Sequence, residues 1–217
     1  MQADIRLEIW ADPVCPWCLI GKAWLDRALE EAADHPFAVE WHPFQINPDM
    51  PPGGLDHRTY LEAKFGSPMK AVEALQPAVA AAQAAGIPLD LAAIERMPDT
   101  TDAHRLIHWA GLEGMQTAAV SALFRAYFRE GRDIGDAQVL ADVGAGIGME
   151  REAVERLLAT DADRAAISER DAHARARGLN AVPTFIIANQ HVLPGAQPPE
   201  LWIQVIDEID HQLRDRG

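Results

Sequence analysis

The sequence predicts an α/β fold in which a large all-helical insertion separates a βαβ half from a ββα half. Near the N-terminus apolar residues alternate with other residues, and near the C-terminus a short β-branched run follows Gly178, and both patterns are typical of strands. From about residue 58 to residue 177, apolar residues and alanines instead recur at helical spacing. We therefore predict one domain made of residues 1–57 and 178–217, with residues 58–177 as a helical insertion domain.

The N-terminal half is predicted as strand, helix, strand. Residues 5–9 and residues 37–41 each alternate, and apolar residues at helical spacing lie between them at 25–32. Two neighbouring parallel strands need a crossover such as this helix, and such crossovers are nearly always right-handed. Residues 47–54, which are rich in proline and glycine, mark the point where the chain leaves this unit.

The predicted insertion has clear helix boundaries. Asp136 is a plausible N-cap, and Pro77 is expected to bend or split a helix. Five glycines lie where helices can end: Gly86, Gly114, Gly131, Gly148 and Gly178.

After Gly178 the pattern returns to strands. The β-branched run Thr184–Ala188 and the run His191–Leu193 predict a hairpin, with its turn at Asn189-Gln190. A last helix is predicted from about Pro199 to Arg214.

The two cysteines of the chain form a Cys15-Pro16-Trp17-Cys18 motif between the first strand and the first helix. A helix N-terminus has unpaired N–H groups and the positive end of the helix dipole, which stabilise a thiolate. Proline at the first helical position loses no hydrogen bond. A second cysteine one turn later can close a short, reversible disulfide. The arrangement therefore predicts a dithiol redox site, in which Cys15 is more accessible and more acidic than Cys18.

Three other interpretations of this cysteine pair are weaker. A zinc site needs two more ligands, and none of the eight histidines forms a compact pair near a matching turn. A structural disulfide would close only a tiny loop and would restrict the unfolded chain little. A pair of inert buried thiols remains the third alternative.

Composition excludes several classes of partner. The net charge is −14 without any run rich in lysine or arginine, which argues against nucleic acid and anionic membranes. No apolar run approaches the roughly 20 residues of a membrane span. The first residues lack a basic stretch followed by a long apolar core, so a cytoplasmic location is expected if Met1 is the natural start.

Five segments spread over nearly the whole chain resemble DsbA-like thiol oxidoreductases, and within them the FrnE-like branch. These segments are Asp12 to Lys22 (DPVCPWCLIGK), Trp41 to Pro52, Thr100 to Ala110, Ala181 to Phe185 (AVPTF) and Gly195 to Pro198. The resemblance implies a thioredoxin fold with a helical insertion. It also links the chain to 2-hydroxychromene-2-carboxylate isomerases and kappa-class glutathione transferases, which typically carry serine at the first cysteine position.

The resemblance implies roles for the motif. Cys15 corresponds to the nucleophile and Cys18 to the resolving cysteine, while Pro16 and Trp17 are the pair that tunes the redox potential. Val182-Pro183 matches the segment in which the family has a cis proline facing the cysteines. The family usually has glycine two residues before this proline, and this chain has alanine there.

The implied function is thiol–disulfide exchange with protein or small-molecule disulfides, without a bound cofactor and with glutathione as a thiol co-substrate. A cytoplasmic location favours the reductase or isomerase direction, because the thiol pool keeps such sites reduced. The alternative is a glutathione-dependent isomerase or transferase whose insertion shapes a pocket for an aromatic substrate. Retention of both cysteines favours the first function, and the oligomeric state stays open.

Other polar residues have competing interpretations. Glu8 resembles the buried acid that transfers protons in related enzymes, but an exposed strand carboxylate is favoured. Asp12 lies nearer the cysteines, although Asp-Pro is also an ordinary strand-to-turn signal. His104 and His108 are one helical turn apart, but without a third ligand at matching spacing a cap or another contact is favoured over a metal site. Lys22 has two interpretations: a cation on the helix surface that stabilises the thiolate, or simply a solvated side chain.

Overall fold

The computed structural model describes residues 5–214. Its helices and strands are, in chain order, β1 (Ile5–Ala11), α1 (Pro16–Glu31), β2 (Phe37–Pro43), β3 (Leu55–Asp56), α2 (His57–Phe65), α3 (Pro68–Ala84), β4 (Arg96–Met97), α4 (Thr101–Leu112), α5 (Gln116–Phe128), α6 (Ala137–Gly146), α7 (Arg151–Leu158), α8 (Arg164–Ala176), β5 (Thr184–Ile187), β6 (His191–Pro194) and α9 (Pro199–Arg214).

A four-stranded sheet with the order β2-β1-β5-β6 joins the two ends of the chain. β1 pairs in parallel with β2, from Ile5 opposite Phe37 to Ala11 opposite Pro43. β5 pairs antiparallel with β1, and β6 pairs antiparallel with β5. The predicted βαβ and ββα halves are therefore confirmed, and they form one sheet.

The hairpin between β5 and β6 turns one residue earlier than predicted. Ala188 and Asn189 both have positive φ, of 52° and 58°, and the Gln190 N–H donates to the Ile187 carbonyl. Asparagine tolerates this conformation, but alanine rarely adopts it, so the sequence contains no signal for the position that the turn takes.

The segment between the two halves is rich in helix but not entirely helical. α2 to α8 lie there, yet β3 and β4 form a short antiparallel pair in which Leu55 lies opposite Met97. Gly54 precedes this pair with a φ of 69°, and a Cβ there would lie 2.4 Å from the Met97 carbonyl oxygen. Two-residue strands are too short to show the alternation from which strands are predicted.

Pro77 does not split a helix. It lies inside α3, which continues for seven residues beyond it. Ala78 and Ala82 of α3 are buried against Ile20 of α1, and this packing supports the part of the helix that follows the proline. The five glycines expected at helix ends do lie just beyond the ends of helices, all with positive φ.

The two faces of β1 pack against different parts of the molecule. Leu7 and Ile9 belong to the main core, which contains both cysteines and Trp202 of α9. Trp10 points to the other face, where it joins Ile186 and Ala174 of α8 in a smaller cluster. The site described below lies where β1 ends, between these two layers.

At Trp41, the outer edge of β2 is covered by one side chain of α5. The Trp41 N–H donates to Gln116 Oε1 at 2.8 Å, and Gln116 Nε2 donates to the Trp41 carbonyl at 3.0 Å. The Trp41 indole N–H also donates to the Thr117 hydroxyl at 3.0 Å. These contacts attach the helix-rich segment to the sheet.

Candidate active site

The cysteine motif begins α1 as predicted. Cys15 is the N-cap, with extended backbone angles, and Pro16 occupies the first helical turn. The Cys15 carbonyl accepts the first helical hydrogen bonds, from the N–H of Cys18 at 3.0 Å and of Leu19 at 3.2 Å. Proline fits this position because its missing N–H would have had no helical partner.

Both thiols are free and buried, and Cys15 is the more accessible of the two. Cys15 is 6% exposed and Cys18 is 1% exposed. Burial raises the pKa of Cys18 well above its ordinary value, and its hydrogen bond with Cys15 raises it further. Cys18 is therefore a protonated thiol at neutral pH. That Cys15 is the nucleophile stays a prediction.

The Val182-Pro183 segment lies beside Cys15. The peptide bond is cis, and the Cys15 thiol lies 3.8 Å from the Val182 carbonyl oxygen, within reach of a sulfur hydrogen bond. This confirms that the bond is cis and adjacent to the motif. Gly21 of α1 permits the approach, because a Cβ there would lie only 3.0 Å from the Pro183 ring.

Asp12 is the first residue of the loop between β1 and α1, and it is buried beneath that loop. Its carbonyl accepts from the Cys15 N–H at 3.0 Å. Its carboxyl accepts from the Ile46 N–H at 2.7 Å and from the Val14 N–H at 3.4 Å. Asp12 is 1% exposed, and burial raises its pKa to about 7. A carboxyl that changes protonation near neutral pH thus lies directly behind the motif.

His104 lies on the other side of Asp12. Its Nε2 is 3.8 Å from Asp12 Oδ1 and has no hydrogen-bond partner in the described part of the chain. Burial lowers the pKa of His104 to about 4, so the ring is neutral at neutral pH. His108 is half-buried, and residues 5–214 contain no group of three histidines, cysteines or carboxylates able to hold a metal ion.

Glu8 is buried, contrary to the exposed position favoured from sequence. It shares the Trp10 face of β1, and its carboxyl lies 3.9 Å from the Arg6 guanidinium. It therefore lies on the opposite face from Leu7 and Ile9, which belong to the core that holds the cysteines. The residue resembling the family's buried acid is thus buried but points away from the motif.

Lys22 is also buried rather than solvated. Its ammonium pairs with Asp26 one turn along α1. The apolar stem of a lysine can pack in a protein interior while its charged end reaches a carboxylate near the surface. The amphipathic pattern of α1 does not distinguish such a lysine from an exposed one.

A cavity of about 220 Å³ opens beside Pro16 and Trp17, between α1 and the helix-rich segment. Its wall is mostly apolar and includes Leu61, Leu75, Leu91, Ile94, Met97 and Phe128. One polar edge is formed by Lys64, whose ammonium donates to the Tyr60 hydroxyl at 2.6 Å. The Tyr60 hydroxyl donates to Asn47 at 2.9 Å. The cavity can accept an apolar group next to the motif.

Three residues beside Ile46, the donor to Asp12, were not predicted to lie near the site: Gln45, Asp171 and Arg175. The Gln45 N–H donates to the Asp171 carboxylate at 2.8 Å, and the Gln45 amide reaches the Thr101 hydroxyl at 3.1 Å. Arg175 pairs with Asp171 at 2.8 Å. The spacing of Asp171 and Arg175, four residues apart on one helix, indicates an ion pair, but not that it lies behind the motif.

The chain matches the DSBA-like thioredoxin domain family over residues 6–207. It is 30% identical to a probable DsbA oxidoreductase from Streptomyces coelicolor, with a TM-score of 0.81 over 94% of this chain and 89% of that one. It shares its fold with a 2-hydroxychromene-2-carboxylate isomerase (18% identity, TM-score 0.72, 98% and 99% covered). The chain also shares its fold with the cytosolic disulfide reductase DsbM from Pseudomonas aeruginosa, solved with GSH. The two are 23% identical, with a TM-score of 0.66 over 96% of this chain and 99% of that one.

Proposed function

Because the chain belongs to the DSBA-like thioredoxin domain family, we propose that it exchanges a Cys15–Cys18 dithiol for disulfides of protein or small-molecule substrates. One observation supports this most strongly: two free thiols occupy the N-cap and the first turn of α1, with the more exposed one beside the Val182 carbonyl. Active-site cysteines react as thiolates, and a helix N-terminus stabilises the thiolate.

The exchange runs in two displacements. The Cys15 thiolate attacks one sulfur of the substrate disulfide, forming a mixed disulfide and releasing the other sulfur as a thiolate. Cys18 then loses its proton and attacks Cys15 Sγ. The Cys15–Cys18 bond forms, the bond to the substrate breaks, and its electron pair leaves with the substrate sulfur. Two electrons have passed from the enzyme to the substrate.

The proposed direction is reduction or isomerisation in the cytoplasm, with glutathione as the thiol that restores the dithiol. Support comes from the fold shared with a disulfide reductase that is described as cytosolic and was solved with GSH. Along residues 5–214, no helix combines the length and apolar character needed to cross a bilayer. We further propose that residues 58–177 act as an insertion domain that shapes the cavity beside Pro16 and Trp17.

Two cysteine variants test this function. In insulin reduction with a thiol reductant, Cys15→Ser should reduce the rate to that of the reductant alone. Cys18→Ser should instead accumulate a mixed disulfide through Cys15, detected by intact mass and peptide mapping, because the internal attack is lost. Full insulin reduction by Cys15→Ser would contradict the proposal.

The isomerase remains a second candidate because the fold is shared with a 2-hydroxychromene-2-carboxylate isomerase and an apolar cavity adjoins the motif. Isomerisation of this kind needs one activated group and no resolving cysteine. Full turnover of a chromene-type substrate by Cys18→Ser with glutathione, in a protein whose wild type exchanges no disulfide, would favour the isomerase.

A further inference from the structure

We propose that the cavity beside Pro16 and Trp17 continues between α2 and α3, and that the whole site takes a small-molecule disulfide with one long, unbranched alkyl chain. The inference rests on the proposed dithiol exchange and names a substrate class for it. In this arrangement the substrate disulfide lies at Cys15, and its chain runs away from the motif between the two helices.

The first argument is continuity. A second cavity, of about 400 Å³, lies between α2, α3 and residues 91–94; we call it the outer cavity, and the one beside the motif the inner cavity. The inner cavity holds about 220 Å³, less than the roughly 300–1,000 Å³ of ordinary ligand pockets, whereas the two together reach that range. Five residues line both cavities and form a shared wall: His57, Leu61, Leu75, Leu91 and Ile94.

The second argument is that the shared wall can open. Leu61, Leu75 and Leu91 are only half-buried, although they lie between packed elements. Leu61 and Leu91 pack against the main core, but Leu75 packs against none of the three apolar clusters found in residues 5–214. Side chains that are not held in a packed core change rotamer readily. Leu75 can therefore turn aside and join the two cavities.

The third argument is the shape of the site along α3. Ala71 lines the outer cavity, and Ala74 and Ala78 line the inner cavity. Residues three and four apart share one face of a helix, so these alanines form a row from one cavity to the other. With a rise of 1.5 Å per residue the row is about 10 Å long. A long passage lined by methyl groups and leucines suits a linear chain.

The fourth argument is that the charged residues of the outer cavity already neutralise each other. Arg58 pairs with Glu62 at 2.8 Å. Burial lowers the pKa of His57, so its ring is neutral at neutral pH. A charged group of a ligand would lose its hydration there without gaining a partner, which is costly. The occupant of the outer cavity is therefore apolar.

The test uses the reduced full chain and a series of n-alkyl 2-pyridyl disulfides, from ethyl to decyl. The Cys15 thiolate attacks the alkyl sulfur, the substrate S–S bond breaks, and the pyridine sulfur leaves with the electron pair and takes up a proton as 2-thiopyridone. Cys18 then attacks Cys15 Sγ and releases the alkanethiol. The enzyme loses two electrons and two protons, and the substrate gains them.

The rate constant for release of 2-thiopyridone should rise by about three- to fourfold per methylene, because each methylene leaves water for an apolar wall. Division by the rate with dithiothreitol removes differences in intrinsic reactivity. In wild type the rise should continue beyond butyl, since the chain then enters the outer cavity. A rise that stops at butyl, or no rise at all, overturns the inference.

Leu75→Trp should block the shared wall. The ethyl compound should keep its rate, whereas the decyl compound should slow by about 10²-fold, the gain of roughly four methylenes. Leu112→Trp is the matched control: it makes the same substitution on α4, at a position that is 75% exposed and outside both cavities, and it should keep the wild-type profile. An unchanged decyl rate in Leu75→Trp, or equal losses for ethyl and decyl, overturns the inference.

Insulin reduction separates a small molecule from a protein segment as the occupant. Leu75→Trp should reduce insulin at the wild-type rate. A loss as large as that for the decyl compound assigns the outer cavity to a protein segment and overturns the inference. A wild type that releases no 2-thiopyridone from any compound contradicts the proposed dithiol exchange itself, so the two failures are distinguishable.

A trapped complex gives a measurement that does not depend on whether Leu75→Trp folds. Cys18→Ser treated with the decyl compound should retain the alkyl group as a mixed disulfide on Cys15, detected by intact mass. A crystal structure of this adduct should show the chain passing Leu75 between α2 and α3. A chain that lies outside the two cavities overturns the inference.

Discussion

Two buried clusters of ionisable side chains meet on helix α4, at the neighbouring residues His104 and Arg105. The Arg105 cluster is fully paired: its guanidinium donates to Asp102 and to the carbonyls of Leu157, Thr160 and Ala162, all at 2.6 to 2.8 Å. The Asp12 cluster, formed by Asp12 and His104, is not: within residues 5–214, His104 Nε2 has no hydrogen-bond partner, and it lies 3.8 Å from Asp12 Oδ1.

The two clusters show that a buried ionisable side chain can either be held in place by its partners or be left able to change its protonation state. Arg105 is 0% exposed and also stacks on Trp109, 4.8 Å from the ring centroid, so its charge is held in one geometry. Asp12 and His104 are almost as buried, but burial raises the pKa of Asp12 and lowers the pKa of His104, and both shifts favour the neutral side chain. A fully paired ion stabilises the link between helices, whereas an incompletely paired acid can exchange a proton.

The largest effect is expected from Arg105→Met. It leaves the carbonyls of Leu157, Thr160 and Ala162 without their shared donor, and it leaves Asp102 with Arg164 as its remaining partner, which should lower the free energy of unfolding by about 3–5 kcal/mol. Urea denaturation measures this loss. Arg125→Met, on the exposed surface of α5, is the matched control and should change little. A loss below about 1 kcal/mol for Arg105→Met would mean that the cluster is not structural.

The Asp12 cluster should instead respond to pH. Burial raises the pKa of Asp12 from 3.8 to about 7, so between these values the folded state holds a proton that the unfolded chain has released. Its contribution to stability falls as pH rises from about 4 to 7. Burial lowers the pKa of His104 from 6.5 to about 4, so its contribution rises over nearly the same range. In the wild type the two nearly cancel.

Single variants should uncover each contribution. In Asp12→Asn only the His104 contribution remains, so the free energy of unfolding should rise by about 3–4 kcal/mol from pH 4 to pH 6.5. The wild type should change little over the same range. His104→Phe should lose stability by about 4 kcal/mol from pH 4 to 7. Urea denaturation across pH measures both changes. If both variants keep the wild-type pH profile, the carboxyl and the ring are not displaced as described.

The smallest effect is expected from Arg164→Ala. Arg164 contacts the same Asp102 oxygen as Arg105, at 2.7 Å, but its side chain is 37% exposed. Partly exposed ion pairs contribute less than about 1 kcal/mol. Urea denaturation of Arg164→Ala and Arg105→Met under the same conditions compares the free energy lost with the exposed and with the buried partner of Asp102. Equal losses for the two variants would show that burial does not decide the contribution.

The sheet and the motif could be predicted from sequence because local patterns encode them. Alternation near the N-terminus, the β-branched run near the C-terminus, the Cys15-Pro16 helix start and the glycines after helices all describe residues close in the chain. The neighbours of Asp12 could not be predicted. Ile46 and His104 reach it from 34 and 92 positions away in the numbering, and local periodicity does not report which loops converge.

The burial of Glu8 and Lys22 was missed for a related reason. Each lies in an element covered on both sides, where the charged residue is buried but pairs with a partner that stays exposed to solvent. The Asp-Pro pair was correctly interpreted as a strand-to-turn signal, but that interpretation does not reveal that the same aspartate carboxyl is buried.

The Gln116 amide has a consequence for how extended chains can approach the molecule. At the β2 edge it supplies one acceptor and one donor to Trp41, the pair of bonds that one residue of an added strand would make. An open edge is a template for any extended segment, including another copy of the same protein. Because the Trp41 N–H and carbonyl are already bonded to Gln116, an extended substrate segment cannot form backbone hydrogen bonds with Trp41. The same contacts protect the sheet from edge-to-edge aggregation at this position.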